Sequence, residues 1–386
     1  MNELIPVRRL VGHRGCVSSI AISPKGDVFA TGAAPPIDPE SEIRIWDLST
    51  GESVRSFATG LNAIYSVAIF PDCRRLATGG GGVVCNGRWV HTGGVEVWTL
   101  DGKKRIAKFG EELRFIMSIA FSPDGALLLT SNHKSANEQS TADKRRIRLW
   151  RTSNFKEVKT FGEHEDGIAS ACFSPDGRFV AFGSNQTSSG VILRTVPPRG
   201  SGLQRLLLRL RIEKVEEVRI HDISSLTPSI RIWNIATQRE EPELQLPKGR
   251  IEAVAFSPDG RMLASCGRSI VIWDFEARRV IKELGQGSPA YTICLAFSPD
   301  SGILATGGGY RFSAGSPFED CGVKLWDSET GRLFAFLPHK RPVHSLRFSP
   351  DGQRIVAGGE AGELLMWNVP PYFSDRPNGW DNAGIT

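Results

Sequence analysis

Phe121-Ser122-Pro123-Asp124-Gly125 returns as Phe173-Ser174-Pro175-Asp176-Gly177, as Phe256-Ser257-Pro258-Asp259-Gly260 and as Phe348-Ser349-Pro350-Asp351-Gly352. Weaker copies stand at Ile22-Ser23-Pro24-Lys25-Gly26, Ile69-Phe70-Pro71-Asp72 and Phe297-Ser298-Pro299-Asp300. Proline presets φ, aspartate bonds nearby backbone and glycine accepts positive φ, so each copy reads as a tight turn between two strands. A β-rich run precedes the turn, as in Ile116 to Phe121, and a second follows it, as in Ile303 to Gly307. A third run alternates into a tryptophan, as in Val323-Lys324-Leu325-Trp326-Asp327. These tryptophans are Trp46, Trp98, Trp150, Trp233, Trp273, Trp326 and Trp367. A turn such as Ser328-Glu329-Thr330-Gly331 and a fourth strand, Arg332 to Leu337, close the unit. Four short antiparallel strands repeated seven times predict an all-β propeller of seven blades.

Asp follows the tryptophan in three repeats (Asp47, Asp274, Asp327) and Asn in two (Asn234, Asn368), whereas Thr99 and Arg151 follow it in the second and third. With this signature the sequence resembles the WD-repeat family over nearly the whole chain. Gly12-His13 with Thr31 and Trp46 resembles the His–Ser/Thr–Trp part of the family's structural tetrad, without the Asp expected before the third strand. The resemblance implies that the seven tryptophans are structural and that the ring closes by strand exchange. No clear fourth strand follows Trp367, because Pro370-Pro371 interrupts the chain. Residues 4–10 are therefore expected to complete the last blade and cover its open edge. The expected organisation is a propeller over 1–368, with an insertion at 185–229 in the fourth repeat, and a C-terminal tail at 369–386.

The spacing from turn proline to tryptophan varies from repeat to repeat. It is 15 residues in the fifth repeat and 17 in the seventh, but 22 in the first, 27 in the second, third and sixth, and 58 in the fourth. The additions fall between second and third strands, at 32–41, 80–93, 131–145, 184–229 and 308–321. By family geometry these connections share one face of the disc and the Pro-Asp-Gly turns the other. In the fourth interval, Gly190 to Thr195 falls where a third strand belongs, which leaves an eight-bladed ring as the alternative. Leu203 to Ile220 has both helical and alternating spacings, so periodicity does not choose its conformation.

Loops on a rigid scaffold are where binding usually sits. The candidate partner-binding residues are Arg88 and Trp89 in the second repeat, Lys134 and Arg145 in the third, and Tyr310, Arg311 and Phe312 in the sixth. Aromatic and arginine side chains bury large areas while keeping a polar handle, which suits them as interface anchors. The competing reading is that these aromatics only pack their own loops onto the disc.

Nothing in the sequence assembles a catalytic site. The seven histidines lack H-x-x-x-H or H-E-x-x-H spacing, and Gly79 to Gly82 and Gly307 to Gly309 lack the lysine and helix of a phosphate loop. No cofactor or metal site is read. Seven scattered cysteines without a C-x-x-C pair fit idle thiols in a reducing compartment. No apolar run approaches the roughly 18–20 residues that span a bilayer, and no secretory signal is visible. A net charge of +5 is mild for 386 residues and permits an acidic partner without demanding one. The expectation is a cytoplasmic, non-enzymatic scaffold that binds one or more proteins of a larger assembly, with no membrane contact. The alternatives are a reader of nucleic acid or anionic ligands through basic loops and, behind it, a channel-centred metal-dependent hydrolase or lyase.

Overall fold

The computed structural model describes residues 2–3, 5–34, 41–81, 83–85, 88–90, 93–111, 113, 115–132, 145–164, 168–184, 228–246, 250–285, 291–310 and 319–369. Of 2–3, 83–85, 88–90, 145, 163–164, 184, 310 and 319–320 it describes the backbone only. These residues form a seven-bladed propeller of four-stranded antiparallel blades. Blade 1 runs Cys16–Ile22, Val28–Ala34, Glu42–Asp47 and Ser53–Ala58 from the axis outwards. Blade 4 is Ala171–Phe173, Phe179–Ser184, Ser229–Asn234 and Arg239–Gln245, so the 185–228 interval joins its second strand to its third. Phe179 to Ser184 pair without interruption with Asn234 to Ser229, which places seven blades, not eight, in the ring.

Each turn follows from its side chains. In blade 3, Ser122 Oγ donates to Asp124 Oδ1 at 2.5 Å, and the same carboxylate accepts the Ala126 amide at 3.0 Å. Gly125 then takes φ 71°, a left-handed value that glycine adopts without strain. The same Ser–Asp bond recurs at Ser174, Ser257, Ser298 and Ser349. Every first-to-second-strand connection is equally short, from Ile22 to Val28 in blade 1 and from Phe348 to Arg354 in blade 7.

The tryptophans lie between blades. Trp46, Trp150, Trp273, Trp326 and Trp367 are buried, while Trp98 and Trp233 are half-buried. Each packs onto the blade before its own: Trp273 sits among Ala181, Ile230, Ile232 and Leu244 of blade 4, and Trp367 among Val323, Leu325 and Leu337 of blade 6. A propeller core is thus seven interfaces between blades rather than one centre, so burial is added blade by blade.

Closure involves both ends of the chain. Arg8–Leu10 pairs antiparallel with Leu364 to Met366 as the outermost strand of blade 7, and the Val7 amide donates to Met366 O at 2.8 Å. The closing strand is thus shorter than the 4–10 expected. Upstream, Asn2–Glu3 pairs in parallel with Ala335 and Phe336, adding a fifth strand to blade 6. The N-terminal segment therefore straddles the last two blades.

Candidate functional site

Strand register fixes which connections share a face. The second strand begins beside the end of the first (Ile22 faces Phe29) and ends beside its start (Cys16 faces Ala34). All second-to-third-strand connections therefore leave from the face where the chain enters each blade, opposite the Ser-Pro-Asp-Gly turns. The connection spans 82–93 in blade 2 but only 268–269 in blade 5. One face is uniform and the other is variable.

Four of the seven candidate residues stand on described strands at that variable face. Arg88 and Trp89 lie on Arg88–Val90, which pairs with Val83–Cys85 in a two-stranded hairpin extending blade 2. Tyr310 is not a loop residue: it ends the second strand of blade 6 and pairs with Glu319. Arg145 opens the third strand of blade 3, opposite His164. Lys134, Arg311 and Phe312 lie outside the described residues, as do 185–227 and the tail from 370.

The glycine runs have a packing role. A Cβ on Gly80 would sit 1.9 Å from Ala63 O, and one on Gly308 2.0 Å from Tyr291 O. Both positions require the closest approach of neighbouring backbones, which accounts for glycine without a phosphate.

Polar clusters that sequence reasoning did not find stand near the same face. In blade 5, Glu252 Oε1 accepts from Tyr291 Oη at 3.1 Å and Arg250 Nε at 3.0 Å. Burial, reinforced by the Glu252 charge, pushes the Tyr291 phenol up to about 12. In blade 7, His339 Nδ1 lies 3.0 Å from Glu363 Oε2, which also accepts the Lys340 amide at 3.1 Å. Arg9 of the closing strand reaches Glu363 at 4.0 Å. Burial lowers the His339 pKa although Glu363 opposes it.

Blade 2 carries another. Glu96, 0% exposed, accepts from Trp98 Nε1 at 3.2 Å, Arg105 Nη1 at 3.0 Å and the Gly60 amide at 3.2 Å. A signal for it was present: two residues before the tryptophan stand Arg44, Arg148, Arg231 and Lys324 in four repeats, and a carboxylate only here.

In blade 1 the expected constellation assembles. Thr31 Oγ1 lies 2.6 Å from His13 Nε2 and accepts Trp46 Nε1 at 2.8 Å. Glu42, not an aspartate, stands 3.8 Å from His13 Nδ1 and 2.9 Å from Arg44 Nε. Burial, then the Arg44 charge, pushes His13 down to about 3, so the ring is neutral. Among the described residues no group of three or more His, Cys, Asp or Glu side chains is placed to hold a metal. No helix among them is long and apolar enough to cross a membrane.

The family model described as "WD domain, G-beta repeat" matches residues 4–47, 103–151, 155–188, 242–274, 281–327 and 331–368, well over half of the chain. Most of blade 2, with its buried Glu96, falls between matched segments. Apoptotic protease-activating factor 1 of Homo sapiens is 23% identical over 88% of this chain and 32% of its own length. Small ribosomal subunit protein RACK1y of Oryza sativa subsp. japonica is 28% identical over 37% of this chain and 42% of its own. Serine-threonine kinase receptor-associated protein of Gallus gallus is 27% identical over 38% of this chain and 39% of its own. The chain thus spans less than half the length of each of these relatives.

Proposed function

Because the chain belongs to the WD-repeat family of β-propellers, we propose that it is a non-enzymatic scaffold that binds one or more proteins through its loop-rich face. The observation that carries this reading is the asymmetry between the faces. Seven near-identical short turns close one side, while the other bears connections of widely different length, one of them a hairpin. Sequence-specific elaboration on a regular frame is where recognition is built. The relatives' names support it in kind: one is a ribosomal subunit protein and another is receptor-associated.

Within that face, Arg88, Trp89, Tyr310, Arg311 and Phe312 are the proposed anchors, with Lys134 and Arg145 adding positive charge. The test begins with capture of partners from the native host by the full chain and their identification by mass. The recovered partner is then titrated against Trp89→Ala and Tyr310→Ala, and against Asp176→Ala and Asp259→Ala on the turn face. The loop-face changes should each weaken binding by about 2 kcal/mol, as expected of hot spots, and the turn-face changes should leave it nearly intact. The reverse pattern sinks the assignment. A steep loss of affinity with salt would instead favour a phosphate-bearing ligand.

A further inference from the structure

The inner wall of the ring carries one feature that a protein-binding loop face does not use. The last residue but one of each innermost strand is alanine in five blades, Cys172 in blade 4 and Arg347 in blade 7. Beside these positions lies a cavity of about 270 Å³, lined by Arg347 of blade 7, Ile20 of blade 1, Val67 of blade 2 and Ile119 of blade 3. Innermost strands of four successive blades meet only near the ring axis. Pro24 and Pro350 also line the cavity, so it opens towards the turn face, opposite the loops.

Arg347 is the cation of this cavity. It is open to solvent, and the packed strands around it lower its pKa by partial desolvation. A guanidinium stays charged even so. Its Nη1 donates to Leu346 O at 2.7 Å, and among the described residues no carboxylate comes within ion-pair distance. Burial pushes the Cys294 thiol of blade 6 up to about 12, so it stays neutral and supplies no counter-charge. The result is one solvent-accessible positive charge beside the apolar side chains of Ile20, Val67 and Ile119.

We infer that the turn-face mouth of the central channel is a carboxylate-binding site, in which Arg347 receives one acidic side chain or chain terminus of a partner segment. A carboxylate matches the guanidinium fork with two parallel charge-assisted hydrogen bonds. One cation suits a monoanion better than a phosphate, which usually gathers several donors. The cavity is also smaller than the roughly 300–1,000 Å³ of typical small-molecule sites, so it fits a side chain rather than a nucleotide. This site is on the opposite side of the ring from the proposed loop interface and does not depend on it.

The full chain is titrated with acetyl-Gly-Gly-Glu-Gly-Gly-amide, the same peptide with Gln for Glu, sodium propionate and sodium phosphate. The readout is the Nε–Hε NMR resonance of Arg347, assigned by its loss in Arg347→Gln. The Glu peptide should shift that resonance and bind at least tenfold more tightly than the Gln peptide, and Arg347→Gln should abolish the difference. Propionate binding more tightly than the Glu peptide would keep the carboxylate site but make a free acid its ligand. Phosphate binding more tightly than both, equal binding of the two peptides, or no shift with any probe would overturn the assignment. Because the resonance is read in the unmodified chain, the test stands even if the variant folds poorly.

Discussion

Thr31 joins His13 to Trp46 through one hydroxyl, and blade 7 shows what happens without it. Ala357 pairs with Leu365 two residues before Trp367, the place Thr31 holds opposite Arg44 before Trp46. His339 and Trp367 are both present, but His339 Nε2 and Trp367 Nε1 are buried without a protein partner. Unsatisfied buried polar groups are costly, and a net hydrogen bond contributes roughly 0.5–1.5 kcal/mol. Thr130 and Thr306 accept Trp150 and Trp326 as Thr31 accepts Trp46, so Ala357→Thr should stabilise the protein by about 1 kcal/mol, read as a higher urea midpoint at unchanged slope. An unchanged midpoint would show that the hydroxyl does not reach either ring. A second residue-scale prediction concerns pH. His13 is held neutral with a pKa pushed down to about 3, whereas the unfolded chain takes up a proton below about pH 6.5. Its contribution is complete above that pH and is lost as pH falls towards 3, at about 1.4 kcal/mol per unit. Burial lowers His339 and His344 in the same direction. Unfolding free energies between pH 6.5 and 4.5 should fall less steeply in His13→Gln than in the parent, and equal slopes would remove His13 from the account.

Strands were the elements most legible in the sequence, because each carries its own punctuation. Ser-Pro-Asp-Gly marks where the first strand ends, and the tryptophan marks where the third does, so both could be read without knowing their neighbours. What could not be read depends on register between segments far apart in the chain. Glu96 reads as a surface residue on an alternating strand until its neighbours place Trp98, Arg105 and Gly60 around it. Asn2–Glu3 has no strand-like pattern, and its parallel pairing with Ala335 and Phe336 joins segments from opposite ends of the chain. Arg347 looks like any polar residue facing water until the ring sets it beside Ile20, Val67 and Ile119. Closure itself gives an element-scale prediction. Leu10 is buried against Val356, Leu364 and Met366, so deleting 1–11 removes both an edge strand and part of that core. The truncated protein should aggregate or be nicked by protease within 340–368. A soluble monomer with the parent's melting curve would show that blade 7 does not need this strand.

Over the whole molecule, stability is divided among interfaces between successive blades, and the large connections are additions to that frame. Trp273 tests the first half of this statement. It is buried against blade 4, and Trp→Ala in a core costs about 3–5 kcal/mol, a large share of the roughly 5–15 kcal/mol that holds a domain folded. Trp273→Ala should lower the melting temperature sharply. Blade 4 tests the second half. Ser184 and Ser229 face each other as the last pair of an uninterrupted ladder, and the Leu246 amide donates to Pro228 O at 2.9 Å just beyond it. The two strand ends are therefore one ladder spacing apart, roughly 5 Å, a gap that needs no long chain to bridge. Blade 5 makes the equivalent connection with Arg268 and Ser269 alone, between Gly267 and Ile270. Replacing 186–227 with a Gly-Ser-Gly linker should thus leave circular dichroism and radius of gyration those of a closed ring, with a melting temperature close to the parent's. Loop-closure entropy acts in favour of the shortened chain, since the cost of joining two ends rises with the length between them. An expanded or unfolded product would mean that the interval supplies contacts the ring depends on, and would return it from accessory segment to part of the frame.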